Sequence, residues 1–219
     1  RYFPSPERAA RDSGVDLTTG EHFVANYKPD VNLSMKVFKT IADPFIGKYS
    51  LVKVLTGVLR ADSELFNTGK EVEEKSGKIY VLRGKEAIEV SELRPGDIGA
   101  MAKLNETETG DTLARKQAPI LYNAPQISKP YTYKAYVAKN KGDEDRIASG
   151  LAKLMEEDRT LRAEVDAENR QSLLYGIGDQ QLDIVVSKLA SRYKAEIVLE
   201  KPKFAFRETI RKKVESAGR

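Results

Sequence analysis

The chain has 219 residues, enough for one large or two small domains, and 40% of them are hydrophobic, enough to fill one or two cores. The absence of cysteine excludes disulfides, cysteine-bound zinc and thiol catalysis. A net charge of +4 permits contact with a nucleic acid backbone without requiring it, and no apolar run approaches the ~20 residues of a membrane helix.

Residues 1–33 contain scattered prolines and glycines and show no sustained hydrophobic period. We predict that they form an extended lead-in that wraps on the domain after it. The chain opens with Arg1, and we expect further protein before it. His22 is the only histidine, and without cysteine or a second histidine a metal cluster or a Ser-His-Asp triad is disfavoured. We expect His22 to be a solvated loop residue.

Residues 34–116 consist of short β-branched and aromatic runs that are broken by turn residues such as Asp43-Pro44 and Arg94-Pro95-Gly96. Many short strands at fairly regular spacing, with no helical period among them, are typical of a closed or nearly closed antiparallel barrel. The predicted strands are Met35–Ile41, Tyr49–Val58, Glu64–Asn67, Lys78–Leu82, Ala87–Val90, Ile98–Leu104 and Asp111–Ala114.

A polar stretch with three prolines separates this pattern from the next and predicts a linker over residues 117–130. Residues 131–219 then alternate between strand and helix patterns. The predicted strands are Tyr131–Ala138, Leu161–Asp166, Arg170–Ile177 and Ala195–Leu199, with Phe204–Arg207 as a candidate extra strand.

Two amphipathic helices are predicted between these strands. The first follows Asp143, and the second follows Gly178. Their apolar faces are Ile147, Leu151, Leu154 and Met155 in the first helix and Leu182, Val185, Val186, Leu189 and Tyr193 in the second. The resulting order β-α-β-β-α-β is the ferredoxin-like arrangement.

Two short motifs look like nucleotide-binding sequences but are incomplete. Asn140-Lys141-Gly142-Asp143 spells the guanine-reading N-K-x-D, yet the chain has no G-x-x-x-x-G-K-S/T loop to hold phosphates. Gly176-Ile177-Gly178-Asp179 precedes a helix, but Gln181 stands where the dinucleotide fingerprint needs a third glycine. We expect Asp143 to cap its helix, Asp179 to lie in a first helical turn, and neither motif to bind a cofactor.

Charged residues cluster in several places. Glu71, Glu73 and Glu74 are expected in a solvated loop, and the acidic run at residues 156–158 at a helix end, rather than as paired acids of a glycosidase. Lysine and arginine clusters are suited to phosphate contact, although lysines are also common on surfaces without function. The basic clusters are Lys70, Lys75, Lys78 and Arg83 near one barrel loop, and Arg207, Arg211, Lys212 and Lys213 in the C-terminal tail.

Landmarks along nearly the whole chain resemble domains II and III of elongation factor G, in order and in spacing. Each motif is weak alone, and their colinearity carries the resemblance. The matching segments are Phe3-Pro4-Ser5-Pro6, Phe38-Lys39, Asp43-Pro44-Phe45-Ile46-Gly47, Gly57, Pro95-Gly96-Asp97-Ile98, Thr109-Gly110-Asp111-Thr112-Leu113, the Gly176–Ile184 run beside the family's G-M-G-E-L-H-L-D-I, and the Phe206–Lys213 run beside its Y-R-E-T-I-R-K-K.

The resemblance implies a translation-factor barrel that contacts small-subunit ribosomal RNA. It places Lys75, Lys78 and Arg83 on the barrel segment that faces this RNA. The parent protein would bind GTP and magnesium in a GTPase domain and promote GTP-dependent translocation of tRNA and mRNA on the ribosome. This chain itself is expected to be no enzyme and to hold no cofactor.

The resemblance also implies a ferredoxin-like domain between the barrel and the GTPase switch regions. It places Gly178, Asp179 and Gln181 at the junction with the GTPase domain. The expected partners are therefore the ribosome with its small-subunit RNA, and the GTPase and C-terminal domains of the same parent chain. We expect a cytoplasmic protein without a membrane partner.

Departures from the family pattern keep alternatives open. The family has histidine where this chain has Gln181, and an M-H-A-N-like stretch where it has Leu82-Arg83-Gly84-Lys85. A tetracycline-resistance-type ribosomal protection protein or another elongation factor G-like paralogue is one alternative. A standalone RNA-binding module is disfavoured by the colinear landmarks. An acylphosphatase-type hydrolase is disfavoured because Tyr131–Gly142 offers no arginine-bearing phosphate loop.

Overall fold

The computed structural model describes residues 4–9, 12–43, 47–84, 86–209, 212–213 and 215–216. Pro44 of the predicted turn, Lys85 and Arg211 of the basic tail lie outside the described residues. The chain divides into a barrel unit, residues 1–128 with 149–160, and an αβ unit, residues 129–148 with 161–219. Among the described residues no helix is long and apolar enough to cross a membrane.

The barrel unit is built almost entirely from short antiparallel strands. A single turn of helix precedes them. Its elements are α1 Pro6–Ala9, β1 Ser13–Asp16, β2 His22–Val24, β3 Ser34–Asp43, β4 Gly47–Thr56, β5 Leu59–Arg60, β6 Glu64–Asn67, β7 Val72–Lys75, β8 Ile79–Arg83, β9 Glu86–Val90, β10 Glu92–Leu93, β11 Ile98–Ala102, β12 Thr112–Ala114 and β13 Ile120–Tyr122.

Eight of these strands form one antiparallel sheet in the order β7-β6-β12-β3-β4-β11-β8-β9, and β5 pairs with β10. Leu65 of β6 and Ile79 of β8 come from opposite halves of this order, yet both belong to one core of twelve buried apolar residues. Met35 and Val52 lie in the same core and are fully buried. The sheet therefore curls around a single core, and the predicted antiparallel barrel is confirmed.

A small second sheet joins two segments in which the sequence predicts no strands. It has the order β13-β1-β2, so Gly14 pairs with Tyr122 and with Phe23. The strands β1 and β2 lie inside the predicted lead-in, and β13 lies inside the predicted linker. The expectation that His22 is a loop residue is wrong, because it lies exposed in β2. Strands of three or four residues leave no local period to detect, and β13 lies about a hundred positions from its partner β1.

The loop predicted around Glu71–Glu74 is also wrong in part. Glu73 and Glu74 lie in β7, which pairs with β6 after a tight turn in which Glu71 adopts a positive φ of 58°. The strand contains one β-branched residue and three charged ones, so its sequence has low strand propensity. Its strand conformation is therefore stabilised by pairing with β6.

The αβ unit has the predicted β-α-β-β-α-β order when residues 149–160, which include the second half of its first helix, are counted with it. Its elements are β14 Thr132–Ala138, α2 Glu144–Glu157, β15 Arg162–Asp166, β16 Gln171–Gly176, α3 Asp179–Lys188, a π-helical turn Leu189–Tyr193 and β17 Ile197–Glu200. The sheet order is β15-β16-β14-β17, with every neighbouring pair antiparallel. This is the ferredoxin-like arrangement, and the second predicted fold is confirmed.

The helix faces follow the predicted period. Leu182, Val185 and Leu189 are buried along the second helix, as Leu151 and Leu154 are along the first. The second helix ends at Lys194, whose left-handed φ of 54° stops the chain from continuing as a helix. The candidate strand Phe204–Arg207 is wrong, because residues 201–209 have no regular secondary structure.

Candidate functional site

Of the basic residues predicted on the barrel, Lys75 and Lys78 flank the turn between β7 and β8. Ser76 is fully buried there, and its hydroxyl donates to the Arg60 carbonyl at 3.2 Å and accepts the Ser63 amide at 2.8 Å. These bonds fix the turn, so Lys75 before it and Lys78 after it both project from a rigid rim and are exposed. Arg83 lies at the far end of β8, 76% exposed.

Two of the three predicted cations are paired with glutamates of β9. The Lys78 ammonium lies 2.7 Å from Glu89, and the Arg83 guanidinium donates to Glu86 at 3.0 Å. The hydrogen bond to Glu89 and its charge raise the pKa of Lys78, so the ammonium stays protonated. All four side chains are more than half exposed, and such pairs contribute little stability and exchange easily for another anion.

The fold brings two further arginines near this rim that the sequence did not single out. Arg60 of β5 pairs with Glu92 of β10 in the two-stranded ladder, and Arg94 donates to the same glutamate at 3.0 Å. The Arg60 carbonyl accepts from Ser76, which places this strand next to the β7–β8 turn. Strands of two residues give no sequence pattern, so only the pairing reveals these positions.

Lys70, which the sequence grouped with the rim cations, has an internal role. Its ammonium donates to the Glu106 carbonyl at 2.5 Å and lies 3.3 Å from Glu108 and 3.7 Å from Asp111. The carboxylate of Asp111 also accepts from Asn67 at 2.8 Å. Lys70 therefore ties the loop before β12 to the β6–β7 turn and is not available as a free cation.

The second candidate site is the turn that leads into α3. Gly178 is the N-cap residue, with an extended backbone, and Asp179 occupies the first position of the helix as predicted. The Asp179 carboxylate is 3.4 Å from the Thr132 hydroxyl and 3.5 Å from the Lys134 ammonium of the neighbouring strand. The side chain is 65% exposed, so the turn presents a weakly paired carboxylate at a helix N-terminus.

The side chain of Gln181 folds back onto the backbone of this turn. Its side-chain oxygen accepts the amide of Ile177 at 2.7 Å. A Cβ at Gly176 would lie 2.5 Å from the same oxygen, so only glycine leaves room for the contact. Ile177 itself is 48% exposed. Gln181 thus shapes the turn rather than projecting from it.

Each of the two folds matches the sequence model of a known family. The sequence model of the family Elongation factor G domain 2 matches residues 32–116, and that of Elongation Factor G, domain III, matches residues 127–201. Together they span well over half of the chain, in the order of the two observed folds. The chain belongs to the elongation factor G family.

A solved structure is similar in fold to this elongation factor G segment. A protein from Thermus thermophilus superposes with a TM-score of 0.69 at 27% sequence identity, over 80% of this chain. The chain spans about a quarter of that protein's length, since the match covers 26% of it.

The remaining sequence motifs have structural roles in this elongation factor G segment. The Asp143 carbonyl accepts the first helical bond of α2 from Ile147 at 2.8 Å, while its carboxylate bonds the side chains of Arg146 and Asn140. The N-K-x-D motif is thus engaged in its own strand-to-helix turn. Within the part of the chain that the structure describes, no three histidine, aspartate or glutamate residues are grouped as metal ligands.

Proposed function

We propose that this chain is the ribosome-contacting part of an elongation factor G-type translational GTPase, and that the parent promotes GTP-dependent translocation of tRNA and mRNA. The proposal rests on the two family matches, which cover a barrel followed by a ferredoxin-like domain. GTP and magnesium would be bound by a GTPase domain of the parent. The described residues of this chain would then supply contacts, and no chemistry.

Small-subunit ribosomal RNA is the proposed partner of the barrel rim at Lys75, Lys78 and Arg83. The rim cations project from rigid strands, and their glutamate partners hold them only through exposed ion pairs. RNA phosphates can replace Glu86 and Glu89, because both ion pairs are exposed and screened by water and the exchange needs no refolding. Contacts of this kind position a protein without reading sequence.

The GTPase domain of the parent is the proposed partner of the α3 turn at Gly178, Asp179 and Gln181. The turn is rigid because Gln181 bonds the Ile177 amide, and it exposes both an apolar side chain and a carboxylate. A rigid turn of this kind suits a surface that must sense a neighbouring domain. Gln181→Ala removes the internal bond, so it should weaken coupling in the parent between ribosome binding and GTP hydrolysis.

The test of the barrel contact is co-sedimentation of the chain with small ribosomal subunits at several salt concentrations. Reversing Lys75, Lys78 and Arg83 to glutamate should weaken binding and flatten its salt dependence, by about 0.7–0.9 in log–log slope for each lost phosphate contact. The matched control reverses three exposed lysines elsewhere, Lys28, Lys39 and Lys129, with the same change in net charge. Equal losses in both variants would assign the effect to overall charge and remove the rim from the interface.

The proposal also predicts that the chain alone neither binds nor hydrolyses GTP. Asp143 is bonded to Arg146 and Asn140 inside its own turn, and no phosphate-binding loop accompanies it. Calorimetry with GTP and magnesium should give no heat of binding. Micromolar affinity that Asp143→Ala abolishes would instead make N-K-x-D a working site.

A tetracycline-resistance-type ribosomal protection protein or another paralogue remains the second candidate for the parent. The observation that favours it is Gln181, in place of the histidine that the family resemblance expects. A translocation assay with the parent protein separates the two, because a protection protein would bind ribosomes without supporting translocation.

A further inference from the structure

One face of the αβ sheet carries an aromatic ladder. Side chains alternate between the two faces along a strand. A Cβ at Gly176 would lie 2.9 Å from the side chain of Leu182, so the face to which Gly176 belongs lies against α3. The adjacent Tyr175 therefore points to the opposite face. Its register partners Tyr133 in β14 and Arg162 in β15 point the same way.

These three side chains stack in a row across neighbouring strands. The rings of Tyr133 and Tyr175 are 5.1 Å apart with an interplanar angle of 26°. The guanidinium carbon of Arg162 lies 5.3 Å from the centroid of Tyr175. Tyr133 ends the row and remains 37% exposed. Stacked rings held on strands form a preorganised surface for another flat, conjugated group.

A cavity of about 390 Å³ lies beside the ladder, under the segment that follows β17. Phe204 lines it from that segment and is 62% exposed. The segment is held in place because the side-chain amide of Gln171 donates to the Lys203 carbonyl at 2.9 Å and accepts its amide at 2.8 Å. The volume falls in the range of ~300–1,000 Å³ that is usual for ligand sites.

The polar side chains around the cavity are already bonded to one another. Asp166 accepts from Asn169 at 2.8 Å and from Gln171 at 2.9 Å, and Glu164 pairs with Arg162. Few donors or acceptors are left to read the edge of a base. A group that binds here would be held by stacking, which is tolerant of base identity.

Three exposed cations line a neighbouring cavity, which shares Val165, Gln171 and Lys203 with the first. Arg170, Lys201 and Lys203 are exposed, and no ion pair involves them among the residues that the structure describes. Glu168 is paired with Arg207, whereas Asp166 keeps its negative charge because its hydrogen-bond donors are neutral amides. Glu200 is the opposing exposed carboxylate. Three cations therefore face the two carboxylates of Asp166 and Glu200, which leaves a small positive charge that complements phosphates.

We propose that this face binds single-stranded RNA, with unpaired bases stacked on the Tyr133–Tyr175 ladder and phosphates next to Arg170, Lys201 and Lys203. A four-stranded βαββαβ sheet with aromatic side chains that stack bases is a known way for proteins to bind single strands. In a duplex the bases are already paired and stacked on one another, so they cannot stack on the tyrosine rings. The proposal does not use the barrel rim, so it stands apart from the contact proposed above.

The test is fluorescence anisotropy of the 219-residue chain with a labelled single-stranded RNA of mixed sequence and with its duplex. The single strand should bind more tightly than the duplex. Tyr133→Ala should weaken single-strand binding by about 5- to 150-fold, the equivalent of the ~1–3 kcal/mol that one stacked base contributes. Tyr133→Phe should retain binding because it keeps the ring. Phe38→Ala, which removes an exposed ring from the barrel, is the matched control.

Charge and stacking can be separated in the same assay. Changing Lys201 and Lys203 to glutamine should lower the salt slope for single-stranded and duplex RNA alike, whereas Tyr133→Ala should affect only the single strand. If Tyr133→Ala unfolds the αβ unit by circular dichroism, Tyr133→Leu supplies an apolar side chain without a ring and should show the same loss.

Three results would overturn the inference. One is equal affinity for duplex and single strand. Another is unchanged binding in a folded Tyr133→Ala or Tyr133→Leu variant. The third is loss of single-strand binding when the barrel rim is reversed at Lys78 and Arg83 but not when Tyr133 is changed. That pattern would leave the rim contact standing and remove the ladder.

Discussion

The two units hold distant parts of their chains together by different means. In the barrel unit, Asp12 before β1 accepts a hydrogen bond from Tyr27 at 2.9 Å and pairs with Lys36 at 3.4 Å and Lys53 at 3.2 Å. In the αβ unit, distant parts of the chain are held together by buried apolar side chains such as Leu189. The first arrangement depends on the ionisation of a carboxylate, and the second does not. The cost of removing the Asp12 carboxylate should therefore depend on pH, whereas the cost of a cavity at Leu189 should not.

A buried hydroxyl cluster adds to the polar character of the barrel unit. The Ser34 hydroxyl lies 2.7 Å from that of Tyr122 and 2.6 Å from that of Thr56, and the first contact joins residues 88 positions apart. Burial raises the pKa of Tyr122, so its hydroxyl stays protonated as a donor or acceptor. The cluster fixes β13 against β3, where short strand pairing alone would be weak.

The largest expected effect is in the αβ unit. Leu189→Ala should lower the free energy of unfolding of the αβ unit by roughly 2–5 kcal/mol, because it leaves a cavity at a fully buried position. Urea unfolding followed by circular dichroism measures it. The size of the loss should be the same under mildly acidic and neutral conditions, since no ionisable group is removed.

Ile184→Ala on the same helix is the control, because Ile184 is 54% exposed and the change should stay within about 0.5 kcal/mol. An unfolding curve of Leu189→Ala that overlays the parent curve would contradict the burial of this helix face.

The second expected effect is the loss of the Asp12 carboxylate. Burial alone would raise the pKa of Asp12, but the hydrogen bond from Tyr27 and the ammonium groups of Lys53 and Lys36 outweigh it and lower this pKa. A lowered folded-state pKa contributes stability that is present above the unfolded pKa of about 4 and is lost as pH falls through the folded value. Asp12→Asn should cost about 1–3 kcal/mol near neutral pH and progressively less below about pH 4.

Asp30→Asn is the matched control, since Asp30 is exposed in the same segment and its change should be small at every pH. Thermal melts from neutral pH down to about pH 2.5 decide the matter. A penalty for Asp12→Asn that stays constant as the pH falls would show that the carboxylate charge is not what holds the segment.

The third expected effect is smaller. Tyr122→Phe removes one hydroxyl from the cluster, but Ser34 retains Thr56 as a partner, and the phenyl ring keeps its edge contact with Phe23 at 6.0 Å. We expect a loss of about 1–2 kcal/mol. Tyr131→Phe, at an 81% exposed tyrosine, is the control. Equal melting of both variants would mean that the cluster contributes no net stability.

The same contrast explains what the sequence could predict. The αβ unit is built from local patterns, and the period of Leu182, Val185 and Leu189 predicted its second helix nearly to the residue. The barrel fold was predictable from repeated short strands. The β13-β1-β2 sheet was not, because Gly14 pairs with Tyr122 through backbone contacts that no local pattern encodes.

Candidate sites follow the same rule. The exposure of Lys78 and Arg83 was predictable from their place in the resemblance, but their glutamate partners are known only from the strand register. Gln181 was identified as a departure from the family, and its bond to the Ile177 amide required coordinates. The aromatic ladder was missed because Tyr133 and Tyr175 are 42 positions apart and meet only through the β14–β16 pairing.

The smallest expected effect compares two lysine–carboxylate ion pairs that differ mainly in how far they are buried. Lys78 pairs with Glu89 as Lys53 pairs with Asp12, but the Lys78 and Glu89 side chains are 66% and 54% exposed, against 35% and 23% for the other pair. Water screens the exposed pair, so Glu89→Gln should leave the melting temperature of the barrel unit unchanged, in low salt and in about 1 M salt alike. Asp12→Asn, measured in parallel, should lower it. If Glu89→Gln proved as costly as Asp12→Asn, the rim pairs would be part of what holds the barrel together. They could then not be free to exchange their glutamates for phosphates.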